Sequence, residues 1–312
     1  MTVLDGADRL DPALRAVATT RTEFSVSALR LTRGPFDERR RLTVAQTDAR
    51  GVRIVEDNVP TKSGGVTVRI YRCGHVEPAP GVVYCHAGGF ALGSLDTDHR
   101  QCVELSRRAR CAVVSVDYRL APEHPYPAAL DDASAVLRWL ATNAGHLGVD
   151  PSRLAVAGSS AGAALAACLA QQATDGTLPQ VVFQLLHQPV LDDRITLSKK
   201  EFRSSPAFDG EAAELMWRHY LGPAGAPECA VPARRGEFAG LPPALITCAE
   251  VDPFRDEAID YALRLLRAGV SAELHVFARA CHGFDSLLPD WPGSHRLFAL
   301  QGAALSGALH GD

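Results

Sequence analysis

The run Ala112-Val113-Val114-Ser115-Val116 lacks the apolar/polar alternation of a half-solvated strand, and this constrains the fold more than any other feature of the chain. A strand that is apolar along its whole length must be covered on both faces, which calls for helices above and below a largely parallel sheet. From about residue 52 such runs recur, separated by longer stretches with helical spacing. Strands are predicted over residues 52–59, 66–71, 82–85, 112–117, 154–157, 181–186, 244–248 and 272–277. Residues 128–141 set Leu130, Ala133, Val136, Leu137 and Leu140 on one helical stripe. Residues 256–268 set Ile259, Leu263 and Leu266 on another, and Gly269 stops that helix. The fold class expected is α/β, with a mostly parallel central sheet flanked by helices.

Two segments stand outside this alternation. Residues 1–50 show amphipathic helical spacing at Leu10, Leu14 and Val17 without a strand pattern, and read as an added helical layer. Residues 191–240 form a long insertion with one predicted helix, 211–221, among Pro, Gly and Ser; inserts of that length usually cover a functional site. The division expected is therefore a core of residues 51–190 and 241–312, overlaid by 1–50 and 191–240.

With 312 residues, 46% of them hydrophobic, the chain can bury a large core. Lys and Arg number 32 against 36 Asp and Glu, so nucleic acid is not an expected partner. The dense charge run Glu38-Arg39-Arg40-Arg41 reads as a solvated helix end. The opening residues lack a basic, then apolar, leader, and no apolar run approaches the ~20 residues that span a bilayer. Eight cysteines, none in a CxxC pair, sit mostly in apolar segments and suit buried free thiols in a reducing, cytoplasmic setting. No metal site or cofactor is expected.

The chemistry concentrates at Leu154-Ala155-Val156-Ala157-Gly158-Ser159-Ser160-Ala161-Gly162, a strand that runs into G-x-S-x-G and on into an Ala-rich helix. A nucleophile on such a turn is backbone-strained, and glycines two residues to either side let the chain fold back. Centring the pattern on Ser159 would need glycines where Ala157 and Ala161 stand, so Ser160 is the candidate nucleophile. Upstream, Val82-Val83-Tyr84-Cys85-His86-Ala87-Gly88-Gly89-Phe90 is a strand followed by a glycine pair. Main-chain N–H groups approach a developing oxyanion only where side chains are absent, so Gly88 and Gly89, with the N–H of Ala161, are the candidate oxyanion donors. His86 precedes the nucleophile and is expected to shape the glycine loop.

Where the chain turns on such an elbow, the order runs Ser, acid, His. Of the later histidines, His275 falls on an alternating strand, His295 in the C-terminal helical pattern and His310 in a tail expected to fray. His282 sits in a loop beyond the last predicted strand and is the candidate base. Asp252 follows the 244–248 strand at the end where sites of open α/β sheets gather, and is the candidate acid. Asp256 and Glu257 open a helix and have a structural reason to be there.

The set His86-Ala87-Gly88-Gly89-Phe90, Asp117-Tyr118-Arg119-Leu120-Ala121-Pro122-Glu123-His124-Pro125, Gly158-Ser159-Ser160-Ala161-Gly162, Asp252-Pro253-Phe254-Arg255-Asp256-Glu257 and His282-Gly283-Phe284 resembles the hormone-sensitive lipase-like family of bacterial carboxylesterases. The resemblance implies the α/β-hydrolase fold with a helical cap made from residues 1–50 and 191–240. It implies Ser160, Asp252 and His282 as a catalytic triad, Gly88, Gly89 and Ala161 as the oxyanion hole, and 117–125 as a brace at the sheet end. It also implies a small-molecule ester of short to medium acyl chain as substrate, and a homodimer through the strand at 272–277. The family usually has three glycines after the histidine, where this chain has Ala87 first, and Asp before the nucleophile, where it has Ser159. An amidase or acyltransferase would use the same machinery. A non-catalytic receptor on the same scaffold would have lost part of the triad, whereas His282 is intact here.

Overall fold

The strands are β1 (Val52–Thr61), β2 (Gly64–Cys73), β3 (Ala79–Cys85), β4 (Ala112–Val116), β5 (Val149–Ser159), β6 (Phe183–His187), β7 (Ala244–Val251) and β8 (Ala272–Cys281). The computed structural model that places them describes residues 4–61, 64–74, 78–225 and 227–311. They form one sheet in the order β1-β2-β4-β3-β5-β6-β7-β8. β1 and β2 pair antiparallel, as do β2 and β4, and from β4 to β8 every pairing is parallel. β8 is the sheet's far edge.

Helices α1 (Pro12–Val17) and α2 (Val26–Gln46) precede the sheet. Between strands run α3 (His99–Ala109), α4 (Ala128–Thr142), α5 (Ala144–Leu147) and α6 (Ala161–Thr174). The segment between β6 and β7 holds α7 (Leu197–Glu201) and α8 (Gly210–Leu221); α9 (Arg255–Arg267) joins β7 to β8, and α10 (Phe284–Leu287) and α11 (Pro292–His310) close the described chain. Neighbouring residues within a strand enter opposite cores. Val83, Val114, Leu186 and Ile246 meet Leu137, Leu165 and Tyr261 on one face, while Val82, Val113, Leu185 and Leu245 meet Cys102, Leu105 and Leu305 on the other. Burial on both faces is why these strands read as unbroken apolar runs.

The structure corrects several finer expectations. α9 buries Ala258, Tyr261, Ala262 and Leu265, whereas Leu263 and Leu266 are 42% and 52% exposed. The helical period holds but the buried face lies one residue round, because the Tyr261 ring packs on Phe238 at 4.9 Å and its hydroxyl faces Gln171. Val17 is likewise exposed, α1 burying only Leu14. His310 does not fray: it ends α11 and donates Nε2–H to the Ala109 carbonyl at 2.9 Å, the last carbonyl of α3. The run Glu38 to Arg41 lies within α2, and while Glu38 and Arg41 pair in solvent, Arg40 turns inward across the Phe36 ring and its Nε is enclosed. All eight thiols are free, but Cys73 is half-buried and Cys229 exposed.

The N-terminal segment and the insertion are fastened to each other above one end of the sheet. Arg21 reaches Asp209 at 2.5 Å and Glu211 at 2.6 Å, and the Thr22 hydroxyl donates to the Ala207 carbonyl. His219 donates to the Phe24 carbonyl at 2.8 Å, and the Phe24 ring meets Phe208 edge-on at 5.3 Å.

Candidate active site

Ser160 occupies the turn between β5 and α6 with φ 55° and ψ −118°, a strained conformation for a residue with a side chain. Its N–H donates to the His187 carbonyl at 2.8 Å, which pins the turn to β6. A Cβ on Gly162 would stand 2.0 Å from the Cys85 carbonyl oxygen, and one on Gly158 2.3 Å from the Gly162 carbonyl oxygen. Only bare backbone permits strand, turn and helix to approach this closely.

His282 lies directly beyond β8, and Asp252 directly beyond β7. The structure brings both to Ser160: His282 Nε2 is 2.9 Å from Ser160 Oγ, and His282 Nδ1 is 2.9 Å from Asp252 Oδ2. The other Asp252 oxygen accepts the Phe254 N–H at 2.8 Å. With the carboxylate at Nδ1, the proton of a neutral imidazole stays there, and Nε2 is left as the acceptor facing the hydroxyl. Phe208 and Phe254 flank the imidazole at 5.6 and 5.2 Å, and the Gly283 N–H is held by Gln188 Oε1 at 2.7 Å. His275 stands apart on the edge strand, bonded to Glu273 at 2.7 Å.

The glycine loop follows β3, whose end lies against the elbow: a Cβ on Gly162 would also stand 2.5 Å from the His86 carbonyl oxygen. Gly88 has φ 131°, where a Cβ would meet the Leu92 carbonyl at 2.0 Å, and neither the Gly88 nor the Gly89 N–H donates to a protein acceptor among the described residues. Ala161 is the first residue of α6, so its N–H has no intrahelical acceptor and carries the positive end of the helix dipole.

The loop is held from beneath. The His86 ring is fully buried, stacks on Tyr118 at 4.2 Å and donates from Nδ1 to the Ala87 carbonyl at 2.7 Å. Burial lowers its pKa to about 4, so it stays neutral. The Tyr118 hydroxyl donates to the His86 carbonyl, and the Ala121 N–H to the Phe90 carbonyl, so the 117–125 stretch does brace this loop. Arg33 of α2 spans both pieces, donating to the Ala91 and Ala121 carbonyls.

Sequence reasoning missed four side chains close to this assembly. Asp98 Oδ2 accepts the Ala87 N–H at 2.8 Å and the Tyr84 hydroxyl at 3.1 Å, and burial pushes its pKa up to about 6. His187, Gln188 and Asp285 fill the space behind the serine turn. His187 had a signal, a histidine at the end of a buried strand beside the nucleophile strand; the others have none. Among the described residues no group of three His, Cys, Asp or Glu is arranged to hold a metal ion.

A chain with this sheet order and this elbow also matches a model of the alpha/beta hydrolase fold over residues 82–286. The protein belongs to that family. Among alpha/beta hydrolases of known structure, it is similar to esterase LipW from Mycobacterium marinum, with 65% identity, a TM-score of 0.96 and 98% of each chain covered. It is 40% identical to esterase LipI of Mycobacterium tuberculosis over 267 residues, covering 83% of each chain. It is 41% identical to carboxylesterase NlhH of the same organism over 253 residues, 78% of this chain and 79% of that one. The motifs that resembled hormone-sensitive lipase-like bacterial esterases thus lie in a chain whose relatives are named esterases and carboxylesterases. Among the described residues no helix is long and apolar enough to cross a membrane.

Proposed function

We propose that this alpha/beta hydrolase is a serine carboxylesterase acting through an acyl-enzyme. The enzyme is a carboxylic ester hydrolase. Ser160 Oγ attacks the ester carbonyl while His282 Nε2 takes its proton, and Asp252 holds the ring and stabilises the imidazolium. The N–H groups of Gly88, Gly89 and Ala161 receive the oxyanion. His282 then gives the proton to the departing alcohol, and in the second half-reaction removes one from water, which releases the acid. The observation that carries this reading is the unbroken chain of contacts from Asp252 through His282 to Ser160, 2.9 Å at each step.

Residues 1–50 and 191–240 act in this reading as a cap over the core. Ser160 and His282 are 6% and 8% exposed, and a Cβ on Gly89 would lie 2.4 Å from the Phe24 ring, so Phe24 packs directly on the glycine loop. That supports short to medium acyl chains. Eight free thiols support a reducing, cytoplasmic setting. Ser160→Ala is expected to abolish hydrolysis of p-nitrophenyl butyrate and labelling by a fluorophosphonate probe. Normal turnover in that variant would end the assignment.

A further inference from the structure

Behind the serine turn runs a second series of carboxylate, imidazole and hydroxyl that the reaction above does not use. Asp285 Oδ1 accepts from His187 Nε2 at 3.1 Å, and His187 Nδ1 is 2.8 Å from Thr247 Oγ1. Thr247 is wholly buried, and His187 and Asp285 are 2% and 3% exposed, so no substrate reaches this hydroxyl and it is not a second nucleophile.

What the series is attached to gives it meaning. The His187 carbonyl receives the Ser160 N–H at 2.8 Å, and the Thr247 carbonyl receives the Gln188 N–H at 2.6 Å. Gln188 Oε1 in turn receives the N–H of Gly283, the residue after His282. Asp285 lies in α10, the turn that follows His282, and Gln101 of α3 donates to its second oxygen at 2.6 Å. The Phe284 ring packs edge-on against His187 at 5.9 Å and 87°. An imidazole bonded at both nitrogens therefore spans the gap between the strand end that anchors Ser160 and the turn that carries His282.

We propose that Asp285 and His187 are positioning residues that set the reach from His282 to Ser160. The proposal rests on the catalytic roles assigned to those two residues above. Asp285 accepts the proton on His187 Nε2 and the Thr247 hydroxyl meets Nδ1, so the ring is held at both nitrogens. Removing the carboxylate unties α10 from β6, and His282 loses its fixed distance to the hydroxyl. A misplacement of about 1 Å is enough to slow a reaction ~100-fold. Neither side chain faces the space above Ser160, so substrate binding is left alone.

The test compares Asp285→Ala and Asp285→Asn with wild type. Reactive serines are counted with a fluorophosphonate, folding is followed by thermal melting, and kcat and KM are measured separately on p-nitrophenyl butyrate. Asp285→Ala is expected to lower kcat per labelled site on the order of 10–100-fold with KM within about twofold. Asp285→Asn recovers most of that loss, since its Oδ1 still accepts from His187 while Gln101 turns its amide to accept from the new NH2. Wild-type kcat per site in the alanine variant, a loss confined to KM, or an asparagine variant as impaired as the alanine one overturns the proposal. If the alanine variant does not fold, Thr247→Val removes the ring's other bond at nearly constant volume, and the same kcat-only loss decides. Failure of the wild-type protein to label at Ser160 would strike the catalytic assignment itself, and is read independently of these variants.

Discussion

Asp98→Asn should stabilise the protein above pH 6 and leave the oxyanion loop intact. In the fold, the Asp98 carboxyl holds its proton up to about pH 6, against an ordinary value of 3.8, because it is buried. Between those values the folded state binds more protons than the unfolded one, so stability falls as pH rises through that window and levels off above it. A shift of about two units corresponds to roughly 3 kcal/mol of burial penalty at neutral pH. Asparagine never carries the charge, yet its oxygen can stand where Oδ2 accepts both the Ala87 N–H and the Tyr84 hydroxyl. Allowing about 1 kcal/mol for the buried NH2 group leaves a gain of about 2 kcal/mol. At about 2.1 cal/mol/K of unfolding entropy per residue, this is a rise of about 3 °C in Tm for 312 residues. Melting curves of the two proteins from pH 4.5 to 8 should separate progressively up to pH 6 and then run parallel, with esterase activity within a few-fold. A variant less stable than wild type at pH 7.5, or a difference that ignores pH, would refute this account of Asp98.

Two further outcomes follow from the insertion and its contacts. Lys199 of α7 and Glu257 of α9 form a buried pair at 2.6 Å, and burial pushes the Glu257 carboxyl up to about 7. Lys199→Met strands that carboxylate and should cost about 3 kcal/mol in urea melts at pH 8, less below pH 6 where Glu257 is protonated, with Lys199→Met/Glu257→Leu regaining most of it; equal losses at both pH values would contradict the pairing. Wild type should lose rate from p-nitrophenyl butyrate to palmitate. Phe24→Ala should flatten that decline while costing about 3 kcal/mol of stability, and an unchanged chain-length profile would show that the ring does not limit the acyl site.

Much of this was legible in the sequence, for local reasons. The glycines around Ser160 mark a turn where backbone meets backbone, and composition records such crowding directly. Val82/Val83 and Leu245/Ile246 enter opposite cores, so the strands announce a covered sheet. Other features left a faint one-dimensional trace or none. α9 carries apolar residues on two adjacent faces, and only the partner Phe238 decides that Tyr261 goes inward. The sixth strand reads as ending at residue 186, whereas pairing continues to His187, which hid a histidine beneath the active end of the sheet. Asp98 and Arg40 look like ordinary surface charges, because what buries them comes from distant segments.

The fastening of the N-terminal segment also bears on how the chain is made. Leu10 packs on Phe202, Val251 and Cys281, and Leu14 on Phe277, Phe284 and Leu297. At about 5–20 residues per second, a ribosome needs on the order of tens of seconds to deliver those partners after Leu10 and Leu14 have emerged. Throughout that interval these two large aliphatic side chains lack most of the partners that cover them in the finished fold, which exposes them to mispairing until synthesis is complete.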